Sequence, residues 1–401
     1  MKYNYTILLL LSIAVIFGCN EENPGSDQAL SFIKFYGSSM DNFGNDIKQL
    51  NDGSYILIGT TETENNGMDI YLAKIDEYGN KEWEKRYGNK NNEEGNCIQL
   101  LDNGGFVFCG TQIDTAAGSN IILIKTDADG NTVDSMLIGD PNSYESGNYF
   151  KITETGDFLI VGSTTDGAAN INENHDIYMA RAGSAFDTVL SRSIPITGFD
   201  ELTFVENIPD GNYIAIGSTS WNSNTKQIDI LCLEIDENLL AGNIGTFGGN
   251  LNDYGTSAKY LDDGTMLLLG YSEENPNNVM DIYLAKILLA NLTQSPMWTR
   301  YIGGNNDDYA YKMNLTMDNE IIIAGSSNSI GSGNDDFYLV KTDTSGNVLN
   351  QEAYGFTGNE SANAVIQCDD NGYLLIGSSS IEENSMIAII KTYPDLALVK
   401  N

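Results

Sequence analysis

The sequence predicts an all-β chain: a seven-bladed β-propeller of four-stranded antiparallel blades, its ring closed by the N-terminal strand 31–36. Three observations predict it. A short apolar strand ending in Gly recurs as YILIG (55–59), FVFCG (106–110), FLIVG (158–162), YIAIG (213–217), MLLLG (266–270), IIIAG (321–325) and YLLIG (373–377), at spacings of 51 to 55 residues. Six residues before each Gly stands Gly53, Gly104, Gly156, Gly211, Gly264, Asn319 or Asn371. Gly and Asn tolerate positive φ, so each marks the tip of a tight hairpin. The last repeat stops at a third strand within IAIIKTYPDLALVKN (387–401), while LSFIKFYG (30–37) precedes the first repeat as a strand without a hairpin.

Each element follows in order. Residues 5–17, YTILLLLSIAVIF, form an apolar run too short to span a membrane comfortably, behind Lys2. Residues 1–18 therefore read as a signal peptide and 19–29, with NEENPGSDQA at 20–29, as a polar tether. Residues 30–401 form the repeat domain. In each repeat the residue twelve before the marker Gly is apolar: Ile47, Ile98, Phe150, Val205, Ala258, Met313 or Val365. It belongs to the first strand. The Gly-ended strand is the second. A variable loop leads to a third strand such as DIYLAKID (69–76) or DFYLVKTD (336–343), and a turn such as Glu77-Tyr78-Gly79-Asn80 leads to a fourth, such as EWEKRYG (82–88). One such sheet cannot bury both faces alone; stacked around an axis, each blade covers its neighbour. Residues 31–36 supply the missing fourth strand of the last blade and remove two open edges.

Composition narrows the function. The formal charge of −36, from 20 Lys+Arg against 56 Asp+Glu, excludes a nucleic-acid partner. A single His disfavours histidine-based zinc sites and triads. No GxSxG elbow, HExxH or glycine-rich phosphate loop is present.

Two resemblances add to this reading. Ile16-Phe17-Gly18-Cys19 resembles the lipobox of bacterial lipoproteins, which implies lipidation of Cys19 and an outer-membrane anchor; Glu21 and Glu22 resemble the acidic surface-export signal of some of them. The repeat resembles a family of seven-bladed propellers in secreted bacterial proteins, with the pattern W-x3-YGG, DGGYIIAG-T and D-x-x-L-x-K-x-D-x-x-GN. Trp83 with Tyr87-Gly88, Trp298 with Gly303-Gly304, Asp52-Gly53 through Gly59-Thr60, and Asp69 through Asn80 carry it. The resemblance implies fold and export but no defined activity.

Candidate site residues come from repeated charges. Seventeen residues before each marker Gly stands Asn42, Glu93, Glu145, Asp200, Asp253, Asp308 or Glu360. As a ring near the channel mouth, the six carboxylates would suit Ca²⁺ or a polyhydroxylated ligand. As a structural repeat, each would accept hydrogen bonds from its own loop. A basic series, Lys74, Lys125, Arg181, Lys286, Lys341 and Lys391, is expected to pair with repeat carboxylates. Asp127-Ala128-Asp129-Gly130-Asn131 has its Gly too early for a calcium loop, so Ca²⁺ is not supported by ligand spacing and no metal or other cofactor is expected. His175 reads as a surface residue. Cys97 and Cys109 lie on adjacent strands, and either a disulfide or two buried thiols fits. Trp221, in the loop 218–228, suits stacking on a sugar or packing on a neighbouring loop.

The expected function is a lipid-anchored exported module that binds an envelope protein or an extracellular glycan through its loops. The alternative is a carbohydrate-active hydrolase or lyase with its site at the channel mouth. No catalytic residue is singled out, and a mouth broken out of the seven-fold pattern would favour the enzyme.

Overall fold

Hairpin tips set the repeat. Gly53, Gly104, Gly156, Gly211 and Gly264 have φ of 75 to 84°, and Asn319 and Asn371 have 59 and 63°. All seven positions chosen for positive φ adopt it. The computed structural model describes residues 30–399 apart from 65–66, 115–117, 141–142, 166–174, 197, 222–226, 275–278 and 382–383. Residues 1–29, which contain the expected signal peptide 1–18, Cys19 and the expected tether, lie outside the described residues.

Around these tips the chain is a seven-bladed β-propeller. Every sheet has four antiparallel strands, six of the sheets in sequence order and the seventh with the N-terminal strand at its outer edge, and the only helical segment among the described residues is a 3₁₀ turn at Pro209–Gly211. The first strands run Asn42–Gln49, Asn92–Leu100, Ser146–Ile152, Asp200–Asn207, Asp253–Tyr260, Asp308–Leu315 and Glu360–Gln367 in blades 1 to 7. Each touches the first strand of the next blade, and the seventh touches the first, so these strands surround the axis. Phe32–Tyr36 pairs antiparallel with Asn384–Thr392, from Phe32 opposite Lys391 to Tyr36 opposite Ile387. It is the fourth strand of blade 7.

The marker glycines have a geometric cause. Each first strand carries a β-bulge, for example between Gly44 and Asp46 and between Ala310 and Lys312. The bulge presses the carbonyl of Phe43, Glu94, Ser146, Glu201, Tyr254, Tyr309 or Ser361 against the glycine opposite. A Cβ on Gly59, Gly110, Gly162, Gly217, Gly270, Gly325 or Gly377 would lie 1.7 to 2.0 Å from that oxygen, which excludes any side chain.

Between blades the faces are apolar. Second- and third-strand residues such as Ile56, Leu57, Tyr71 and Leu72 are fully buried. Outer-strand aromatics reach the next blade: Trp83 covers the turn at Gly130, and the Tyr87 hydroxyl donates to the Gly130 carbonyl at 2.5 Å. Tyr36 does the same to Gly79 at 2.7 Å, tying the closing strand of blade 7 to blade 1. The basic series pairs beside the hairpin tips: Lys74 with Asp52 at 3.0 Å, Arg181 with Asp157 at 2.9 Å, Lys286 with Asp263 at 2.9 Å and Lys391 with Asp370 at 2.8 Å. Lys125 has no such carboxylate, because Asn103 stands where Asp52 does; its ammonium lies 5.2 Å from the Phe186 ring centre.

Candidate functional site

The six repeated carboxylates sit where each first strand begins, and none reaches solvent: Glu93, Glu145, Asp200, Asp253, Asp308 and Glu360 are at most 1 % exposed. Each serves its own loop. Backbone N–H groups of Asn89, Gly249, Gly304 and Phe356 donate to Glu93, Asp253, Asp308 and Glu360 at 2.7 to 3.2 Å. Side chains one strand over donate as well: Gln112 to Glu93, Thr164 to Glu145, Thr219 to Asp200 and Ser379 to Glu360. In blade 1, Asn42 accepts from Ser38 N–H and the Thr61 hydroxyl in the same way. These residues shape loops at the blade junctions; of the six, Glu360 also borders the cavity at the mouth.

A second carboxylate faces several of them from the preceding blade. Asp69 Oδ1 and Glu93 Oε2 lie 1.9 and 2.9 Å from the point a Cβ on Gly88 would occupy. Burial and the neighbouring Asp69 charge push the Glu93 carboxyl up. Burial, with Asp229 and Glu274 adding to it, raises Asp253 to about 6. Among the described residues no three His, Cys, Asp or Glu side chains form a metal-binding group.

The residue that follows each junction carboxylate or Asn42 is Phe43, Glu94, Ser146, Glu201, Tyr254, Tyr309 or Ser361 around the ring, and of these Phe43, Glu94, Tyr309 and Ser361 line the cavity at the mouth. Here the seven-fold pattern breaks. Blades 2 and 4 present carboxylates, and blades 5 and 6 present tyrosines. Tyr254 stacks on Tyr271 at 5.0 Å, Tyr271 meets Tyr309 edge-on at 5.1 Å, and Tyr309 lies parallel to Tyr311 at 6.4 Å. A cavity of about 530 Å³ opens beside this ladder, lined by Phe43, Asn45, Glu94, Asn96, Tyr309 and Tyr311 among others. Glu94 is open to the mouth's water, yet the surrounding walls push its carboxyl up. Burial raises Glu201 to about 7, so it exchanges its proton near neutrality.

One layer deeper stand the bulge residues. Asn45, Asn96, Asn148, Thr203 and Asn363 each donate to a backbone carbonyl of the next blade, at 2.8 to 2.9 Å. The circuit stops at blades 5 and 6. Thr256 turns back to its own Leu269 carbonyl at 3.4 Å, and the Tyr311 hydroxyl meets Ser326 at 3.5 Å. Below it the channel fills. Lys312 of blade 6 crosses the axis to lie 3.7 and 4.1 Å from the ring centres of Tyr149 and Phe204, on blades 3 and 4.

Other candidates fall elsewhere. Trp221 is 48 % exposed and lines an apolar hollow of about 480 Å³ with Ile177, Ile196, Leu233 and Ile244, away from the mouth. His175 packs at a tilt against Phe199, with ring centres 5.4 Å apart. Asp127 accepts from the N–H groups of Asp129 and Asn131, so this run closes a turn, as Asp76 and Asp343 do in their blades. Cys97 and Cys109 face each other across one hairpin as free, buried thiols. The loops 163–175, 218–228 and 271–280 each contain segments outside the described residues.

Residues 317–348 match a family model described as "Domain of unknown function (DUF5122) beta-propeller". No curated protein matches the chain in a sequence comparison. Among solved structures, a protein of unknown function from Dyadobacter fermentans DSM 18053 superposes with TM-score 0.52 at 8 % identity, over 91 % of this chain and 98 % of that one. The Pan2 WD40 domain of Neurospora crassa gives 0.54 at 10 % identity, over 89 % and 97 %. A puromycin hydrolase gives 0.53 at 11 % identity, over 88 % of this chain and 53 % of that one. A hydrolase and a protein of unknown function both appear among these solved structures, at 11 % identity or less, so the likeness is one of fold.

Proposed function

We propose that this protein is an exported, lipid-anchored binding module whose ligand sits at the channel mouth, and that the ligand is a segment of extracellular glycan. The observation that carries the reading is the tyrosine ladder at the mouth, a stacking surface for sugar rings; the broken seven-fold pattern by itself bears on the catalytic alternative. A tyrosine ladder on blades 5 and 6 offers flat apolar faces to a sugar ring, and Glu94 and Glu201 offer acceptors for its hydroxyls. The blade repeat gives no structural reason for these residues, because other blades place Ser or Phe at the same position and close equally well. Cys19 supplies the anchor and the outer membrane is the site, in keeping with the lipobox at 16–19.

The test is binding of the purified full-length protein to an array of bacterial envelope and host glycans. Retention of a glycan class, weakened about tenfold or more in Tyr271→Ala and Tyr309→Ala, is the expected result. Retention of an envelope protein instead, unaffected by either variant, overturns it.

One observation favours a catalytic reading of the same mouth. A carboxyl raised to about 7, as Glu201 is, suits a general acid, with Glu94 as a second carboxylate. Release of shortened glycan by the wild type and not by Glu201→Gln would make the module a hydrolase.

A further inference from the structure

We propose that the lower half of the channel is a binding site for a multiply charged oxyanion of the phosphate class. This protein is strongly acidic, with 20 Lys+Arg against 56 Asp+Glu. Its first strands nevertheless bring four lysines to the axis below the bulges: Lys48, Lys151, Lys259 and Lys312, from blades 1, 3, 5 and 6. Among the described residues, Asp46 and Glu206 are the carboxylates that pair with them.

Both carboxylates are already occupied. Asp46 takes the Lys48 ammonium at 2.6 and 2.7 Å and the Ile98 N–H at 3.2 Å. Glu206 takes Lys151 at 2.9 Å and Lys259 at 2.7 Å. Lys312 has no hydrogen-bond acceptor or ion pair among the described residues; its ammonium rests on the faces of Tyr149 and Phe204. With every group ionised, the cluster carries two positive charges in excess, inside a protein of charge −36.

Blade folding does not account for this. The position of Lys48 is held in the other blades by Gln99, Lys151, Glu206, Lys259, Asn314 and Ile366, and all seven blades form the same sheet. Access exists as well. The side chains of Lys48, Lys151 and Lys259 are 22, 23 and 32 % exposed, so part of each reaches water at the end of the channel away from the tyrosine ladder. Burial, with repulsion from Lys48 and Lys151 set against the pull of Asp46, lowers Lys312 to about 7. An anion among the four lysines would hold that amine protonated. Each ammonium has donors to spare, and a phosphate offers several acceptors, so one ion can bridge lysines from different blades. Uncharged glycan lacks the charge to do this, which separates the site from the mouth above it.

The test is calorimetric titration of the full-length protein with inorganic phosphate, pyrophosphate and, as a monovalent control, acetate. Saturable binding is expected for pyrophosphate, weaker for phosphate and absent for acetate. Lys312→Met and Lys259→Gln should each weaken pyrophosphate by about tenfold, and Glu206→Gln should tighten it. Lys259 is the more exposed, so Lys259→Gln carries the comparison if Lys312→Met does not fold. Glu94→Gln at the mouth should leave it unchanged. Absence of heat with both phosphates overturns the proposal, as does binding that survives Lys259→Gln and is indifferent to Glu206→Gln.

Discussion

Replacing Asp253 by Asn should stabilise this protein at pH 8 and leave it unchanged at pH 4. Asp253 is fully buried, and its Oδ1 has no hydrogen-bond partner among the described residues. Its folded pKa is about 6 against 3.8 for the free side chain. Between those values the folded state binds more protons than the unfolded state, so stability falls as pH rises through the window. A displacement of this size corresponds to about 3 kcal/mol at most, present in full below pH 4 and lost above pH 6. Asn is close in shape to the protonated acid and does not ionise. The variant should therefore gain about 2 kcal/mol over wild type at pH 8 and nothing measurable at pH 4. The protein already contains the solution: Asn42 holds this position in blade 1, accepting from Ser38 N–H and Thr61 while its amide donates to the Ser38 carbonyl at 3.0 Å. Urea denaturation at the two pH values, followed by tryptophan fluorescence, gives the difference directly. A variant destabilised equally at both values would show that the carboxylate is ionised and satisfied in the fold, and the reasoning would be wrong.

Further outcomes follow from other contacts. Gly211→Ala, at a tip with φ 75° and nothing within 4 Å of the new methyl, should cost only the backbone strain, about 1 kcal/mol by chemical denaturation. Gly110→Ala should cost several-fold more, because its methyl would lie 1.8 Å from the backbone carbonyl oxygen of Glu94, which cannot move aside. Lys391→Met removes a fully buried ammonium but leaves Asp370 23 % exposed, so it should cost about 1 to 2 kcal/mol in the same assay. Cys97 and Cys109 should stay unreactive towards a thiol reagent in the native protein and react on unfolding; a count short by two thiols under denaturing, non-reducing conditions would show a disulfide instead.

The hairpin tips and the closing strand were legible because each depends on a local property that every blade repeats: a residue tolerant of positive φ at one place, an apolar residue at another. The junction carboxylates were legible as a series but not in their placement. Both a mouth ring and a loop anchor produce an acid in nearly every blade, and only the hydrogen bonds from Asn89, Gly249, Gly304 and Phe356 decide between them. The mouth and the lysine cluster were not legible, for two reasons. Their residues are the ones that differ between blades, so a search for repeats passes over them. The bulge also shifts the alternation by one: Phe43 and Asn45 face the axis above it, but Asp46 and Lys48 below it. A strict period of two would have turned Asp46 and Lys48 into the blade. The signal available was the exchange of side-chain type at fixed offsets from the marker glycine, Glu94 and Glu201 against Tyr254 and Tyr309.

Pairing Phe32 with Lys391 has a consequence for how the protein comes to exist. Six blades are built from contiguous stretches of chain and can assemble from nearby contacts as synthesis proceeds. The seventh joins residues some 350 positions apart, so its sheet stays three-stranded until both ends of the domain are present. An interrupted chain would keep a bare strand edge, open to pairing with another molecule or to a protease. Closure thus acts as a check on completeness: the ring shuts only around a chain made to its last blade.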